Sequence, residues 1–415
     1  MTKAVPRQAD TAARLRLAYV TGEYPRATDT FIQREVAALR RLGAHVETFS
    51  IRRTGEEDLV GPEQREEQGR TFHVLPAAQS PLCLIRSHLT MLLRSPTAYL
   101  KSLGLAFRTA RPGVSGLISQ FFYFAEAAVL ARRLCEREVS HIHNHFADSS
   151  CTVSMLASTM SEIPFSFSLH GSGVFFEAYT WRLDEKFRRA TFVRCISYFC
   201  RSQAMFLSSP EIWERFRVVH CGVDVSSYKA PDVQPNRARI VFIGRLTAAK
   251  GLPVLLEAFA GVRRVAPAAS LVLIGDGPLR EDLVSRTGEL GLADAVEFRG
   301  LQSQEQVREL LRQADILALP SFTEGLPVVL MEAMAAGIAV VASGIGGISE
   351  LIEDGISGLL VRPGDPEQLA HCLVELLSDV SRRTRIAEVA RKVVERDFDV
   401  NIETAKLYRA FREFP

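Results

Sequence analysis

Short apolar runs alternate with segments of helical period along almost the whole chain. "RLRLAYV" precedes "TDTFIQREVAALRRLGA", in which Phe31, Ile32, Val36, Leu39 and Leu42 fall on one helical face. "HVETFSI" reads as a second strand, and "SHIHNHF", "PFSFSLHG", "TFVRCIS" and "FRVVHCGV" as further strands of the first half. Between them lie a polar stretch at 54–70, basic helical segments around 82–110 and one apolar helix. The second half is more regular. "RIVFIG", "SLVLIG", "AVEFRG", "DILALP" and "AVVAS" are five short, mostly apolar strands, each followed by a helical segment. Near-continuous apolar strands alternating with helices predict parallel sheets covered on both faces.

Residues 224–238, "DVSSYKAPDVQPNRA", hold two prolines and no apolar period, which predicts an interdomain linker. The chain of 415 residues exceeds one comfortable core. Two doubly wound α/β domains follow, and in such sheets ligands bind beyond the carboxyl ends of the strands. Function is therefore sought in the strand-to-helix loops.

Composition changes this picture little. With 47% hydrophobic and 24% charged residues and a formal charge of +2, the chain is of ordinary globular type. It has no global basic field of the kind that phosphate-dominated nucleic-acid binding needs. Seven cysteines without a CxxC pair, and an amino terminus (MTKAVPRQADTAARLR) lacking a signal-peptide core, predict reduced thiols in a cytoplasmic protein. Val114 to Ala131 carries one charge, Glu126, and approaches the ~20 apolar residues of a membrane span. Ser115, Ser119, Gln120 and Glu126 argue instead for a buried or interfacial helix. Arg86, Arg94, Lys101, Arg108 and Arg111, interleaved with leucines, suit either a solvated helical face or contact with an anionic membrane or a lipid-pyrophosphate acceptor.

Three loops of the second half carry candidate chemistry. "GRLTAAKG" sets Arg245 and Lys250 between Gly244 and Gly251, just past a strand and before a helix. Tight-turn glycines, a helix amino terminus and two cations make either a phosphate site or an ordinary basic loop. "GDGPLR" imitates a dinucleotide fingerprint with Glu297 downstream, but Arg280 replaces the third glycine, so a turn joining strand to helix fits better. "SFTEGLPVVLMEAM" places Glu324 in a loop, Pro327 at the first helical position and Glu332 inside the helix. At helical rise the two carboxylates stand about 12 Å apart along the axis. A glycosidase-type pair needs about 5–9.5 Å, so an acid/base dyad fits poorly. No further hard ligands for a metal are evident nearby. Two carboxylates flanking amide donors suit a polyhydroxylated ligand that carries phosphate. In "HIHNHF", strand period puts His141, His143 and His145 on one face, where packing and polar lining of a cleft is the favoured role over metal binding.

Together "GRLTAAKG", "LIGDGP", "FRGLQSQEQV" and "ADILALPSFTEGLPVVLMEAMAAGIAVVASGIGGISELIEDGISGLLVRPGDPEQLA" resemble the donor domain of family-4 retaining glycosyltransferases of the GT-B fold, over essentially 239–379. The first half, through "EYPRATDTFIQREVAALRRLGAHVETFSIR", "HIHNHFAD" and "FSFSLHG", is similar to bacterial exopolysaccharide and colanic-acid-type members. The resemblance implies an α/β fold of two doubly wound Rossmann-like domains facing a central cleft. These would be an acceptor domain at 14–225, a nucleotide-sugar donor domain at 239–396, and a carboxyl-terminal helix at 397–415 returning to the first domain.

The same resemblance implies that Arg245 and Lys250 bind the diphosphate of a UDP- or GDP-sugar, Glu332 the ribose, and Glu324 the hydroxyls of the transferred sugar. Gly244, Gly325, Leu326 and Val328 would line the donor site, and the backbone at Arg299–Leu301 would face the base. His170 would reach the donor sugar from the first domain, and Gly22, after the first strand, would lie in the acceptor loop. His170, Glu324, Arg245 and Lys250 are thus the implied catalytic set of a metal-independent hexosyltransferase with no cofactor beyond its nucleotide-sugar substrate. The implied acceptor is a hydroxyl of a lipid-linked or surface polysaccharide. An epimerase or a non-catalytic nucleotide-sugar-binding protein of the same fold are the alternatives.

Overall fold

The alternating pattern is realised as two all-parallel sheets. A computed structural model describes residues 15–171, 173–229 and 237–414; part of the expected linker, residues 230–236, lies outside the described residues, as do the first fourteen residues and Pro415. The first sheet contains β1 (Arg16–Glu23), β2 (His45–Arg52), β3 (Phe72–His73), β4 (His141–His145), β5 (Phe165–Leu169), β6 (Val193–Cys195) and β7 (Phe216–Val218). Its order is β3-β2-β1-β4-β5-β6-β7. The second contains β8 (Arg239–Ile243), β9 (Ser270–Ile274), β10 (Val296–Gly300), β11 (Ile316–Leu319), β12 (Ala339–Ser343) and β13 (Leu359–Val361), in the order β10-β9-β8-β11-β12-β13. The order reverses between β1 and β4 in one sheet and between β8 and β11 in the other. Those switch points open the crevices in which doubly wound sheets bind ligands.

Every residue of β4, β5 and β12 is buried, as strands covered by helices on both faces must be. The helix Thr30–Arg41 covers β1 with Ile32, Val36 and Leu39, whereas Leu42 falls past its end and is exposed. The two-residue β3 and three-residue β13 are absent from the sequence reading.

Strand β1 extends through Gly22 to Glu23, since its parallel ladder with β2 continues to the Glu23–Arg52 register. Gly22 therefore lies within the strand and not in a loop beyond it. The helix Val328–Ala335 begins one residue later than its sequence suggests. Pro327, at φ −76° and ψ 114°, is extended and serves as the cap.

The last two helices tie the halves together. Val380–Asp397 packs on the Val328–Ala335 helix and β12. Val400–Glu413 crosses to the first sheet, where Leu407 and Phe411 join a separate cluster with Leu17, Tyr19, Ile32 and Leu39. At the crossing Val223 donates to the Phe398 carbonyl (2.9 Å) and Val400 donates to the Val223 carbonyl (3.0 Å).

Candidate active site

The loop after β8 is held by its neighbour. The Leu246 amide donates to the Asp276 carbonyl (2.9 Å), and the Leu279 amide donates back to the Leu246 carbonyl (3.1 Å). Leu246 is fully buried, which leaves Arg245 exposed at the loop tip with no ion pair among the described residues. A β-carbon on Gly277 would lie 2.5 Å from the Leu246 carbonyl oxygen. The "GDGP" turn is thus a bracket that shapes the Arg245 loop.

Lys250 closes a single helical turn and directs its Nζ to Glu324 Oε1 at 2.5 Å, an oxygen that also accepts from Ser321 Oγ (2.7 Å). Gly251 follows in the left-handed region (φ +65°), where a β-carbon would stand 2.0 Å from the Pro320 carbonyl oxygen. Glycine here lets the loops after β8 and β11 touch, and the Phe322 amide donates to the Ala249 carbonyl (2.8 Å).

Beyond Glu324 the chain approaches the first domain. A β-carbon on Gly325 would sit 2.4 Å from the His170 carbonyl oxygen, so only glycine permits this contact. Pro327 makes no side-chain cap to the Val328–Ala335 helix, which follows β11 as the Lys250 turn follows the neighbouring β8. Glu332, one turn on, is 5% exposed. Its Oε1 accepts from Arg34 of the first domain at 2.6 Å. Arg34 also donates to Gln304 and to the Tyr228 hydroxyl. Burial alone would lower the Arg34 guanidinium pKa, but Glu332 outweighs it and the net shift is upward. Burial and then the Glu332 charge push the Tyr228 phenol upward. A second cross-domain contact comes from Glu350, whose carboxylate accepts from the Tyr198 and Phe199 amides at 2.7 and 2.8 Å.

On the first-domain side, the His170 ring packs against Phe31 and Phe146 and stacks on His145. Its Nε2 lies 2.7 Å from His145 Nδ1, and its Nδ1 lies 3.7 Å from Cys221 Sγ. Burial, followed by the neighbouring His145 and Arg194, holds His170 well below the ordinary histidine range, so the ring is neutral near pH 7. Its backbone carbonyl meets the Glu324–Gly325 loop. Behind it Glu35 is buried against Arg194 and accepts from the Tyr19 hydroxyl (2.8 Å). Burial raises the Glu35 carboxyl, but Arg194 and His145 outweigh it and leave it below the usual carboxylate range.

Ligand atoms of Glu35, His143 and His145 come within 4.8 Å of one another, a spacing a metal could bridge. The Arg194 cation already holds that carboxylate, and both ring nitrogens of His143 are engaged by the Ser166 and Ser168 hydroxyls at 2.8 Å. The donor set therefore fits a buried hydrogen-bond network better than a metal site. Gly22 faces Asp148 and Ser150 across the β1/β4 switch point. Leu301 follows β10 at the outer end of the second crevice.

Arg34, Tyr228, Gln304 and Glu350 were not among the residues singled out from the sequence. Their partners lie in the other half of the chain, and no local pattern marks them.

Two sheets of this order, each opening its switch point onto a shared cleft, define a GT-B architecture. Solved structures agree over nearly the full chain. The Anabaena HepE protein in complex with UDP-glucose superposes with a TM-score of 0.74 at 18% identity, covering 96% of this chain and 100% of that one. Sucrose-phosphate synthase from Thermosynechococcus elongatus gives 0.72 at 19% identity, covering 96% and 99%. Residues 228–393 match the family described as Glycosyl transferases group 1, so the second half carries a domain of that family. Among curated relatives, the amylovoran biosynthesis glycosyltransferase AmsK of Erwinia amylovora is 35% identical over 202 residues, 47% of this chain and 50% of that protein. The putative colanic acid biosynthesis glycosyltransferase WcaL of Escherichia coli K12 is 33% identical over 244 residues, 56% of this chain and 60% of that protein. The chain thus spans half of the first relative and three fifths of the second.

Proposed function

We propose that the protein is a retaining glycosyltransferase that moves a sugar from a nucleoside diphosphate sugar to a hydroxyl acceptor. One observation supports this reading. Arg245, the Lys250–Glu324 pair, the helix Val328–Ala335 and its Glu332 all follow the carboxyl ends of the adjacent strands β8 and β11 within a group 1 glycosyltransferase domain. Arg245, Lys250 and the amides suit the diphosphate, Glu332 the ribose and Glu324 the sugar hydroxyls. The loop Arg299–Leu301, at the end of β10, suits the base.

In this reading the bond between the anomeric carbon and the β-phosphate oxygen breaks while the acceptor oxygen bonds to that carbon on the same face. The acceptor proton passes to the departing phosphate, whose charge the two cations and the helix amides stabilise. The set needs no metal for this step. His170 contributes its backbone carbonyl at the sugar end, and Gly22 leaves room at the acceptor end. The UDP-sugar bound by the Anabaena neighbour supports a UDP- or GDP-sugar donor. The exopolysaccharide relatives support a lipid-linked or surface glycan acceptor in a cytoplasmic reaction.

Lys250→Ala and Glu332→Ala are expected to abolish transfer with the fold intact, the first through loss of leaving-group stabilisation and the second through loss of nucleotide affinity. A thermal-shift panel of UDP-, GDP- and ADP-sugars, followed by turnover with the donor that binds, tests this. Full activity in either variant would overturn the assignment. Release of free nucleotide diphosphate at full rate without any acceptor would favour an epimerase.

A further inference from the structure

More than half of the exposed large apolar side chains among the described residues fall between Leu82 and Phe122. On the helix Pro81–Arg94, Leu82, Ile85, Leu89 and Leu93 form one stripe, and that stripe faces outward while Ser87 and Met91 face the core. Leu100 and Phe107 continue it on the helix Pro96–Arg108. On the helix Val114–Glu136, Leu117, Ile118, Phe121 and Phe122 are exposed, whereas Ala127–Ala131 are fully buried. The three helices pack against one another, so their outer faces make one surface.

The charge of this surface has a single sign. Between Arg70 and Glu126 the chain holds no Asp or Glu. Arg86, Arg94, Lys101 and Arg111 form no ion pair among the described residues, and Arg108 alone shares an acid, Glu185.

Topology fixes where the surface lies. A helix that leads into a strand of a parallel sheet runs antiparallel to it, so the first turns of Val114–Glu136 stand at the carboxyl edge of β4. Its 23 residues span about 34 Å, against about 17 Å for the five residues of β4, and the exposed turns overhang that edge. Arg111 stacks at 4.7 Å on Trp181, in the segment after His170 that also exposes Phe176 and Tyr179. The apolar surface thus borders the mouth of the acceptor crevice.

The geometry points to this face as a docking surface for an anionic lipid bilayer, into which the apolar stripes dip while the basic side chains meet the headgroups. An apolar stripe rimmed by long cationic side chains, of which Arg108 alone is paired with an acid among the described residues, matches the interfacial region of such a membrane and leaves an acidic protein surface no apolar complement to prefer. Docked this way, the crevice mouth opens toward the lipid, and an acceptor carried in the bilayer reaches it without leaving the membrane. The inference holds whether or not the chain transfers sugar.

Co-sedimentation of the full chain with phosphatidylcholine vesicles, with and without phosphatidylglycerol, tests it. Wild type is expected to pellet with the phosphatidylglycerol vesicles and to be released by high salt. Leu93→Glu combined with Phe121→Glu removes binding by tenfold or more, with melting temperature and nucleotide-induced thermal shift unchanged. Replacing Arg86, Arg94 and Lys101 by Gln weakens it about fivefold per cation. Wild type remaining in the supernatant, or the Glu variant pelleting equally, overturns the proposal. So does a wild-type dimer in light scattering that the Glu variant converts to monomer, since a second copy would then cover the face.

Discussion

At the scale of residues, burial decides which charges the fold can hold. Glu126 lies on the one helix among the described residues that is long and apolar enough to cross a membrane, yet its half of that helix is core. Burial raises its carboxyl to about 7, against a lowering by Arg52. A carboxyl raised in the folded state favours folding below its unfolded value near 4.5, and that advantage is lost as pH rises through about 7. Glu126→Gln is therefore expected to match wild type in stability at pH 5 and to exceed it at pH 8, by up to a few kcal/mol. Thermal melts at the two pH values check this, and equal gains at both would refute it. Arg34 is the counterpart. Removing it leaves Glu332 as a buried carboxylate without a counter-charge, a change that costs several kcal/mol in closed sites. Arg34→Ala should weaken binding of a nucleoside diphosphate by at least tenfold and Arg34→Lys by less, as read by calorimetric titration. Unchanged affinity in the alanine variant would reduce Arg34 to a packing role.

At the scale of elements, the sequence is most informative where a period is long and its partner local. The strands β8, β9, β11 and β12 and the helices between them are legible because apolar runs of four or five residues recur with loops of defined chemistry, whereas β10 (VEFRG) alternates instead. Placement of Pro327 differs by one position, since a proline suits both the cap and the first turn. The stripe of Leu82, Ile85, Leu89 and Leu93 shows a deeper limit. Helical period marks a face but says nothing about what lies against it, and here the apolar face is outside. The Arg34–Glu332 pair was illegible for a related reason: 298 residues separate the partners and only the tertiary fold joins them. Elements also meet through Gly325. Gly325→Ala must displace the His170 carbonyl, and the expected result is a cleft that opens without either domain unfolding. Small-angle scattering should show a larger radius of gyration with an unchanged melting temperature. An unaltered radius with full donor binding would show that the loop yields easily.

At the scale of the whole molecule, the two domains are joined by few polar contacts and one long return of the chain. The Val400–Glu413 helix supplies Leu407 and Phe411 to the cluster beneath β1. Truncation after Asp397 strips that cluster of both, and the product is expected to aggregate on expression or to melt well below the full chain. A soluble truncated protein with a native melt would show that the first domain is complete without it.

The paired hydrogen bonds at Val223 and Val400 bind both crossings of the chain at one place. Bodies pinned along a single line can rotate about it but cannot slide apart. Opening must then be smallest near that line and grow with distance from it, so the rim of the cleft far from the crossing governs both entry and release. Whatever grips that rim sets how fast the cleft opens, whereas the Glu332–Arg34 pair, bonded to Tyr228 beside the crossing, holds the domains close to the line itself.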